Sequence, residues 1–462
     1  MKRIGITLED MFNLKSAVIY NPDNFKTIRN ISIDSRKIPG NCLFIAIKGE
    51  RFDGHDFIDK AVANGAKAVV LHKKKLRKFN HLDIPVIAVG DTTKALGELA
   101  GIWRKKLSTK VIGISGSAGK TSTKEIAAML LSTRYTVNKT NANNNNHIGV
   151  PLTIFSTNEK HDVLVVELGT NHFGEIEYTA NIALPDYALI TNIGDSHLEF
   201  LHNKNGVLKE KSALFRITAG ENGILIINND DKLLKQTAKN YRDIITYGFN
   251  SSSEVRGKII GYTYDGRPEI EVEYKKNKMN VELPLYGKAN ANNFLAAAAI
   301  SFGLGLSTKE VLAGIKKLSG IDKRLNIKTK KDFIIIDDSY NASPASMKEA
   351  MFLVGKVNLF RKKIAILGDM FELGNKALEM HRNLAFGLKS NKFDEVYMIG
   401  KLMKNLYDEL KNKSITSKYF TSRKNLNTFL STHNFSDSVI LVKGSRGMKM
   451  EEFVKKIEEK AG

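Results

Sequence analysis

The stretch that decides the fold is KVIGISGSAGKTSTKEIAAMLL, Lys110–Leu131. Its apolar, β-branched opening reads as a buried strand, and TSTKEIAAMLL carries the spacing of an amphipathic helix. Gly116, Ser117, Ala118 and Gly119 are then the turn between the two. Small residues there let backbone amides and the helix N-terminus approach an anion closely. Lys120 supplies a cation for a phosphate chain, and Thr121 supplies the kind of hydroxyl that such loops give to Mg2+. Ser122 completes the group assigned to the nucleotide. The common signature G-x-x-x-x-G-K-[ST] has glycine where Ile114 stands, and Gly113 lies one place too early. A glycine turn with an incidental lysine is the alternative, which the strand–loop–helix context makes the weaker one.

Around this motif the chain reads as α/β. At 462 residues it exceeds one ordinary core, so two or three domains are expected. Its apolar fraction is that of a globular protein. The opening MKRIGITLEDMFNLKS has acidic residues where a signal peptide needs an apolar core, and no later apolar run approaches membrane-spanning length, so a cytoplasmic protein without membrane insertion is expected. The lone Cys42 fits a reducing compartment and a buried position. Seventy-one basic residues against 49 acidic ones leave a charge of +22, which suits either nucleic acid or a polyanionic small substrate. The lysine clusters, HKKKLRK (72–78) among them, lack the interleaved aromatics of a single-strand-binding platform.

Apolar runs alternate with amphipathic ones in three blocks, the pattern of parallel sheets with crossover helices. The blocks are set at residues 1–88, 89–321 and 322–462. A helix begins near Asp56 in the first. The second opens with the helix TKALGELAGIWRKKL and continues through the strands KVIGIS, DVLVVELG, YALITNIG and NGILIINNDD; the third holds DFIIIDDS, KIAILGDM, EVYMIG and SVILVKGS. Glu167 closes DVLVVE at the carboxyl end of a strand, where ligands of open α/β sheets gather. His197 follows YALITNIG, so a carboxylate and an imidazole can converge with Thr121 on a metal. Asp195 and Glu199, flanking His197, are alternatives for the same role. Singly, Glu167 reads as a helix cap and His197 as a structural histidine.

The motifs GSAGKTSTKE, NANNNNHIGVPLT, ELGTNHFGEIEYT, TNIGDSHLEF, GKANANNFLAAAA, DDSYNASPASM, LGDMFELG and VKGSRGMKME occur in the order found in the Mur ligases, and the chain resembles that family over essentially its whole length. DSRKIPGNCLFIAIKGERFDGHDF in the first block adds to the likeness. The family's phosphate loop is a shortened glycine loop ending in GKT, so the spacing at Gly113 is a family trait. The resemblance implies three domains: a small α/β domain binding UDP, a central parallel-sheet domain carrying the phosphate loop, and a Rossmann-like C-terminal domain. It also implies an amide ligase in which ATP phosphorylates a carboxylate and an amine attacks the acyl phosphate. The member it resembles most adds D-alanyl-D-alanine to UDP-N-acetylmuramoyl-tripeptide.

Site residues follow from the same resemblance. Lys120 and the loop would hold the β- and γ-phosphates of ATP. Thr121, Glu167 and His197 would hold Mg2+, with a second Mg2+ at the reaction centre, and Lys211 in GVLKEKSALF matches the family's carbamylated lysine, with Lys209 the alternative. Asn290 and Asn293 in GKANANNF, Asp338 and Asn341 in DDSYNASP, and Arg324 in DKRLNI match positions facing the nucleotide, Arg324 at its γ-phosphate and Asp338 also at the reaction centre. Ser35, Arg36, Lys48 and Gly49 match the UDP region. Asn143, Asn145, Asn146 and His172 match the tripeptide side, and Ser445 and Arg446 the dipeptide side. A bound UDP-sugar and ATP make the positive charge intelligible without nucleic acid, and a monomer is the family expectation. Two other readings compete: a sister amide ligase, of the third-residue or folate-glutamate type, and a nucleic-acid-stimulated NTPase. The folate enzyme lacks this kind of first domain, the third-residue ligase is expected to carry histidine at position 341, and no DNA or RNA module is visible.

Overall fold

The computed structural model describes residues 4–318, 326–411 and 414–460, and within them the chain forms three sheets of mainly parallel strands. The first sheet has five strands in the order Val18–Tyr20, Val86–Val89, Ala66–His72, Cys42–Ile45, Asn30–Ser32, and only its first pair is antiparallel. Strand Val86–Val89 runs one residue past the expected boundary at 88. The helix expected near Asp56 is a 3-10 turn, Gly54–Phe57, leading into Ile58–Ala63, with Asp53 as its cap.

The central sheet has nine strands. Lys110–Ser115 lies between Tyr187–Ile190 and Val163–Glu167, all three parallel, with Val137–Lys139 at the near edge. Chain order therefore reverses beside Lys110–Ser115: the chain first fills one flank, then returns to place Tyr187–Ile190 on the other. That reversal opens a crevice at the carboxyl ends of the strands, the usual ligand position in such sheets. On the far side the sheet continues in parallel through Ile224–Asn228, Ile244–Gly248 and Val255–Tyr262. It ends in the antiparallel strands Pro268–Tyr274 and Asn277–Glu282. The period-2 alternation in PEIEVEY and the turn at Asp265-Gly266 account for this extension.

The third sheet runs Asn326–Thr329, Phe333–Asp338, Ser438–Lys443, Lys362–Gly368, Glu395–Ile399, Thr416–Phe420, with one antiparallel pair at its start. Its middle strands are buried along their length, as strands covered by helices on both faces must be. The expected junction at 321/322 lies outside the described residues. Among the described residues no helix is long and apolar enough to cross a membrane.

Helix Thr92–Lys105, capped by Asp91, packs with one apolar core that includes residues of both the first and the central sheet. Near its end the buried Arg104 donates to the carbonyls of Ala183 (2.9 Å), Leu107 (3.1 Å) and Leu184 (3.1 Å) and pairs with Asp186 at 3.1 Å. Burial is affordable for this guanidinium because every face finds an acceptor. Arg104→Ala strands those acceptors and should lower stability by about 3 kcal/mol, read as a reduced urea midpoint of the central unfolding transition; an unchanged midpoint would show the network to be dispensable.

Candidate active site

The phosphate loop is where the sequence places it. Strand Lys110–Ser115 ends, Gly116–Gly119 turn, and helix Lys120–Leu131 begins. Gly116 has φ +144° and Gly119 φ +82°, conformations that L side chains rarely adopt. Contact is as restrictive as conformation. A Cβ on Gly116 would lie 1.9 Å from Thr191 Oγ1, and one on Gly119 2.4 Å from Asn293 Oδ1.

The segment after strand Tyr187–Ile190 clasps the loop. Asn192 accepts from Ser117 N through its carbonyl and from Ala118 N through Oδ1, each at 3.0 Å, and returns Nδ2 to the Ala118 carbonyl at 3.0 Å. Thr191 Oγ1 donates to the same carbonyl, and Ser117 Oγ accepts from Gly194 N at 2.9 Å. The amides of Ser117 and Ala118, expected to face an anion, are thus bonded to Asn192. The amides of Lys120, Thr121 and Ser122, at the start of helix Lys120–Leu131, are those that a helix does not satisfy internally, whereas Thr123 N bonds the Gly119 carbonyl at 2.8 Å. Lys120 Nζ donates to the Gly116 carbonyl at 2.8 Å, folding across the loop. Ser122 is buried in the same first turn.

Thr121 and Glu167 are brought together. Glu167, 1% exposed, accepts from Thr121 Oγ1 at 2.7 Å and from Asn145 Nδ2 at 2.9 Å, while Lys124 Nζ lies 3.8 Å away. Lys124 is itself fully buried and donates to the carbonyls of Thr140 (2.7 Å) and Ala142 (3.0 Å). One lysine of the loop helix therefore ties the asparagine segment to the carboxylate. Of that segment, Asn145 reaches Glu167, Asn146 caps helix Gly149–Phe155 through the amides of Ile148 and Gly149, and Asn143 is exposed with its carbonyl on Asn145 N.

His197, at φ +52°, places Nδ1 2.7 Å from Glu372 Oε2 on the C-terminal sheet's side, and this imidazole holds the Glu372 carboxyl below the usual range. Asp195 pairs with Lys204 at 3.4 Å. Lys211 is 1% exposed in helix Lys204–Gly220, with no hydrogen bond or ion pair to any described residue. Burial pushes its pKa well below that of a free lysine, the charge of Lys120 pushes the same way, and Glu210 opposes. The neighbouring Glu210 is instead spent on the amides of Gly174 and Ile176. Among the described residues no three His, Cys, Asp or Glu side chains cluster as a ready-made metal cage.

Asn290 and Asn293 are buried and bonded to each other at 3.2 Å, and Asn293 abuts Gly119. In the C-terminal sheet Asp338 forms a buried ion pair with Lys443, which also donates to the Asn341 carbonyl at 2.9 Å. Asn341 Oδ1 accepts from Arg446 N at 3.3 Å, and Ser445 Oγ accepts from Phe371 N at 2.8 Å. Arg324 lies outside the described residues. In the first sheet's domain Ser35 is buried, Lys48 and Gly49 are exposed, and Arg36 is engaged by Asp34 through two 2.9 Å bonds that hold the Asp34 carboxyl down to about 2. His172 is exposed, 3.4 Å from Glu175, with its ring tilted at 49° against Phe200, centroids 4.3 Å apart. Lys124, Asn192, Lys443 and Glu372 were not singled out from sequence. A lysine in a charged helix reads as solvated until the fold buries it.

Fold and site together define an ATP-dependent carbon–nitrogen ligase of three-domain type, and the chain belongs to the Mur ligase family. The family's catalytic domain matches residues 27–104, the Mur ligase middle domain 114–301 and the Mur ligase glutamate ligase domain 323–446. The UDP-N-acetylmuramoyl-tripeptide--D-alanyl-D-alanine ligase of Bacillus subtilis is 34% identical over 98% of both chains. Among solved structures, MurF from Acinetobacter baumannii superposes with a TM-score of 0.89 at 29% identity, covering 99% of this chain and 100% of that one. The Thermotoga maritima MurF ligase in complex with ADP gives 0.83 at 29% identity over 94% and 97%.

Gly116→Ala would force a Cβ into Thr191 and open the clasp. Nucleotide affinity should fall more than tenfold by calorimetry, whereas retained affinity would show that the clasp does not shape the phosphate site.

Proposed function

We propose that the chain joins D-alanyl-D-alanine to UDP-N-acetylmuramoyl-tripeptide with conversion of ATP to ADP and phosphate, giving the pentapeptide precursor of peptidoglycan. One observation carries the reading: the clasped phosphate loop and the Thr121 hydroxyl on the buried Glu167 lie within a chain that matches an enzyme of this activity over 98% of its length. The terminal carboxylate of the tripeptide attacks the γ-phosphorus, ADP leaves, and the dipeptide amine then attacks the acyl phosphate; the tetrahedral intermediate collapses to amide and phosphate. Positioning and charge stabilisation dominate such phosphoryl transfers.

In this reading Lys120 and the helix amides grip the β- and γ-phosphates. Asn290, Asn293, Asp338 and Asn341 surround the nucleoside, and Arg324 meets the γ-phosphate. Ser35, Arg36, Lys48 and Gly49 receive the UDP moiety, Arg36 by exchanging Asp34 for a phosphate. Asn143, Asn145, Asn146 and His172 line the tripeptide side, and Ser445 and Arg446 the dipeptide side. Thr121, Glu167, His197 and Lys211 are the residues to hold Mg2+. The fit rests on the buried carboxylate with a hydroxyl in contact and on Lys211, a buried amine with no ion pair among the described residues. Bound there, Mg2+ ions offset the charge of the phosphate oxygens.

Lys211 fits carbamylation by the same chemistry. Burial lowers the Lys211 pKa and so favours the neutral amine, the form that adds to CO2, losing a proton and becoming an anion. The product would face Lys120 with opposite charge, removing the repulsion that the free amine suffers. A protein acting in the cytoplasm, away from nucleic acid, completes the reading.

Phosphate release from ATP and Mg2+ should require both the tripeptide and the dipeptide; release that ignores both but responds to RNA would refute the ligase. Lys120→Ala should lower turnover by a thousandfold or more without shifting the melting temperature, and near-normal turnover would remove it from the phosphate site. Lys211→Ala should be inactive and partly rescued by acetate or formate, and full activity without rescue would refute the carbamate.

A further inference from the structure

The segment LGDMFELG, Leu367–Gly374, is part of the family likeness, yet no role in the reaction has been attached to it. It leaves the carboxyl end of strand Lys362–Gly368 and is pinned at each step. The Asp369 carboxylate accepts from Leu402 N (3.2 Å) and Met403 N (2.9 Å). Met370 N donates to His381 Nε2 at 2.9 Å, and Phe371 N to Ser445 Oγ at 2.8 Å. The next residue, Glu372, has φ +61°. A long side chain keeps that conformation only where its surroundings impose it.

Glu372 makes no hydrogen bond or ion pair within its own domain among the described residues; its partner is His197 of the central domain, with Nδ1 and Oε2 2.7 Å apart. His197 is also left-handed, at φ +52°. The two backbones approach closely just beside this pair, since a Cβ on Gly374 would lie 4.0 Å from Glu199 N. Two strained residues, one from each domain, thus meet through their side chains.

We propose that Glu372 is a positioning residue for the metal site: by holding Nδ1 of His197 it fixes the ring's tautomer and orientation and leaves Nε2 as the ligating nitrogen, so the C-terminal domain supplies part of the metal site's support. The inference rests on the reading of His197 as a metal ligand. Its physical basis is general, because a carboxylate on the second ring nitrogen fixes the tautomer and raises the basicity of the first, and losing such a partner weakens metal binding about 10- to 100-fold. A carboxylate serving only its own domain's fold would bond within that domain.

The test uses the full chain with a non-hydrolysable ATP analogue and Mn2+ as a spin probe, its affinity read by electron paramagnetic resonance. Glu372→Ala should weaken Mn2+ binding about tenfold or more, with an unchanged melting temperature, and Glu372→Gln, which keeps an oxygen within reach of Nδ1 but loses the charge, should lose less. His197→Ala should lose at least as much as Glu372→Ala, and the double variant no more than His197→Ala alone. If His197→Ala weakens Mn2+ binding while Glu372→Ala does not, or if the two losses add fully, the positioning role is overturned. If His197→Ala has no effect, the reading of His197 as a ligand fails and this inference fails with it.

Discussion

Everything at this site depends on how closely the phosphate loop lies against its neighbours. At Gly116 and Gly119 there is no room for a single methyl group between the backbone and Thr191 or Asn293. That closeness lets Asn192 bond both faces of the turn and hold the start of helix Lys120–Leu131 in one orientation. A helix N-terminus binds phosphate well only if its amides are already aimed. The clasp also links events, because the residues that hold the loop, Thr191 to Ser196, lead directly into His197.

The second organising feature is buried positive charge. In a chain of net charge +22, Lys124, Lys211 and Lys443 are nonetheless among its largest fully buried side chains. Lys124 and Lys443 are compensated, one by carbonyls and carboxylates beside Glu167, the other by Asp338 and the Asn341 carbonyl. Each joins segments distant in sequence. Lys211 has no hydrogen bond or ion pair among the described residues, and its burial favours the neutral amine over a costly buried cation. Lysines 124 and 443 act as structural ties within two of the domains, while Lys211 has no such tie among the described residues.

The sheets were legible because their central strands are continuous apolar runs that end in polar residues. VLVVE, YALI and FIIIDD need no partner to be recognised, since parallel strands are covered on both faces. The antiparallel extension at Pro268–Tyr274 and Asn277–Glu282 was not read, although its alternation is visible in retrospect, because attention to buried runs passes over half-exposed strands. At the site, Gly116 to Thr121 and Glu167 were legible from loop chemistry. The partners of Asp338 and His197 were not: Lys443 and Glu372 lie 105 and 175 residues away from them and acquire meaning only through tertiary contact. Arg36, expected on a diphosphate, is bidentate to Asp34, a short-range pairing that the motif DSR contains in plain sight.

The central claim is that the peptide carboxylate is activated as an acyl phosphate at this loop, and isotope transfer tests it most directly. The tripeptide would carry 18O at both oxygens of its terminal carboxylate, and the products formed with ATP and D-alanyl-D-alanine would be weighed by mass spectrometry. The account predicts one 18O atom in each inorganic phosphate released, with ADP unlabelled and one amide formed per phosphate. Phosphate without label, or label in AMP, would contradict it.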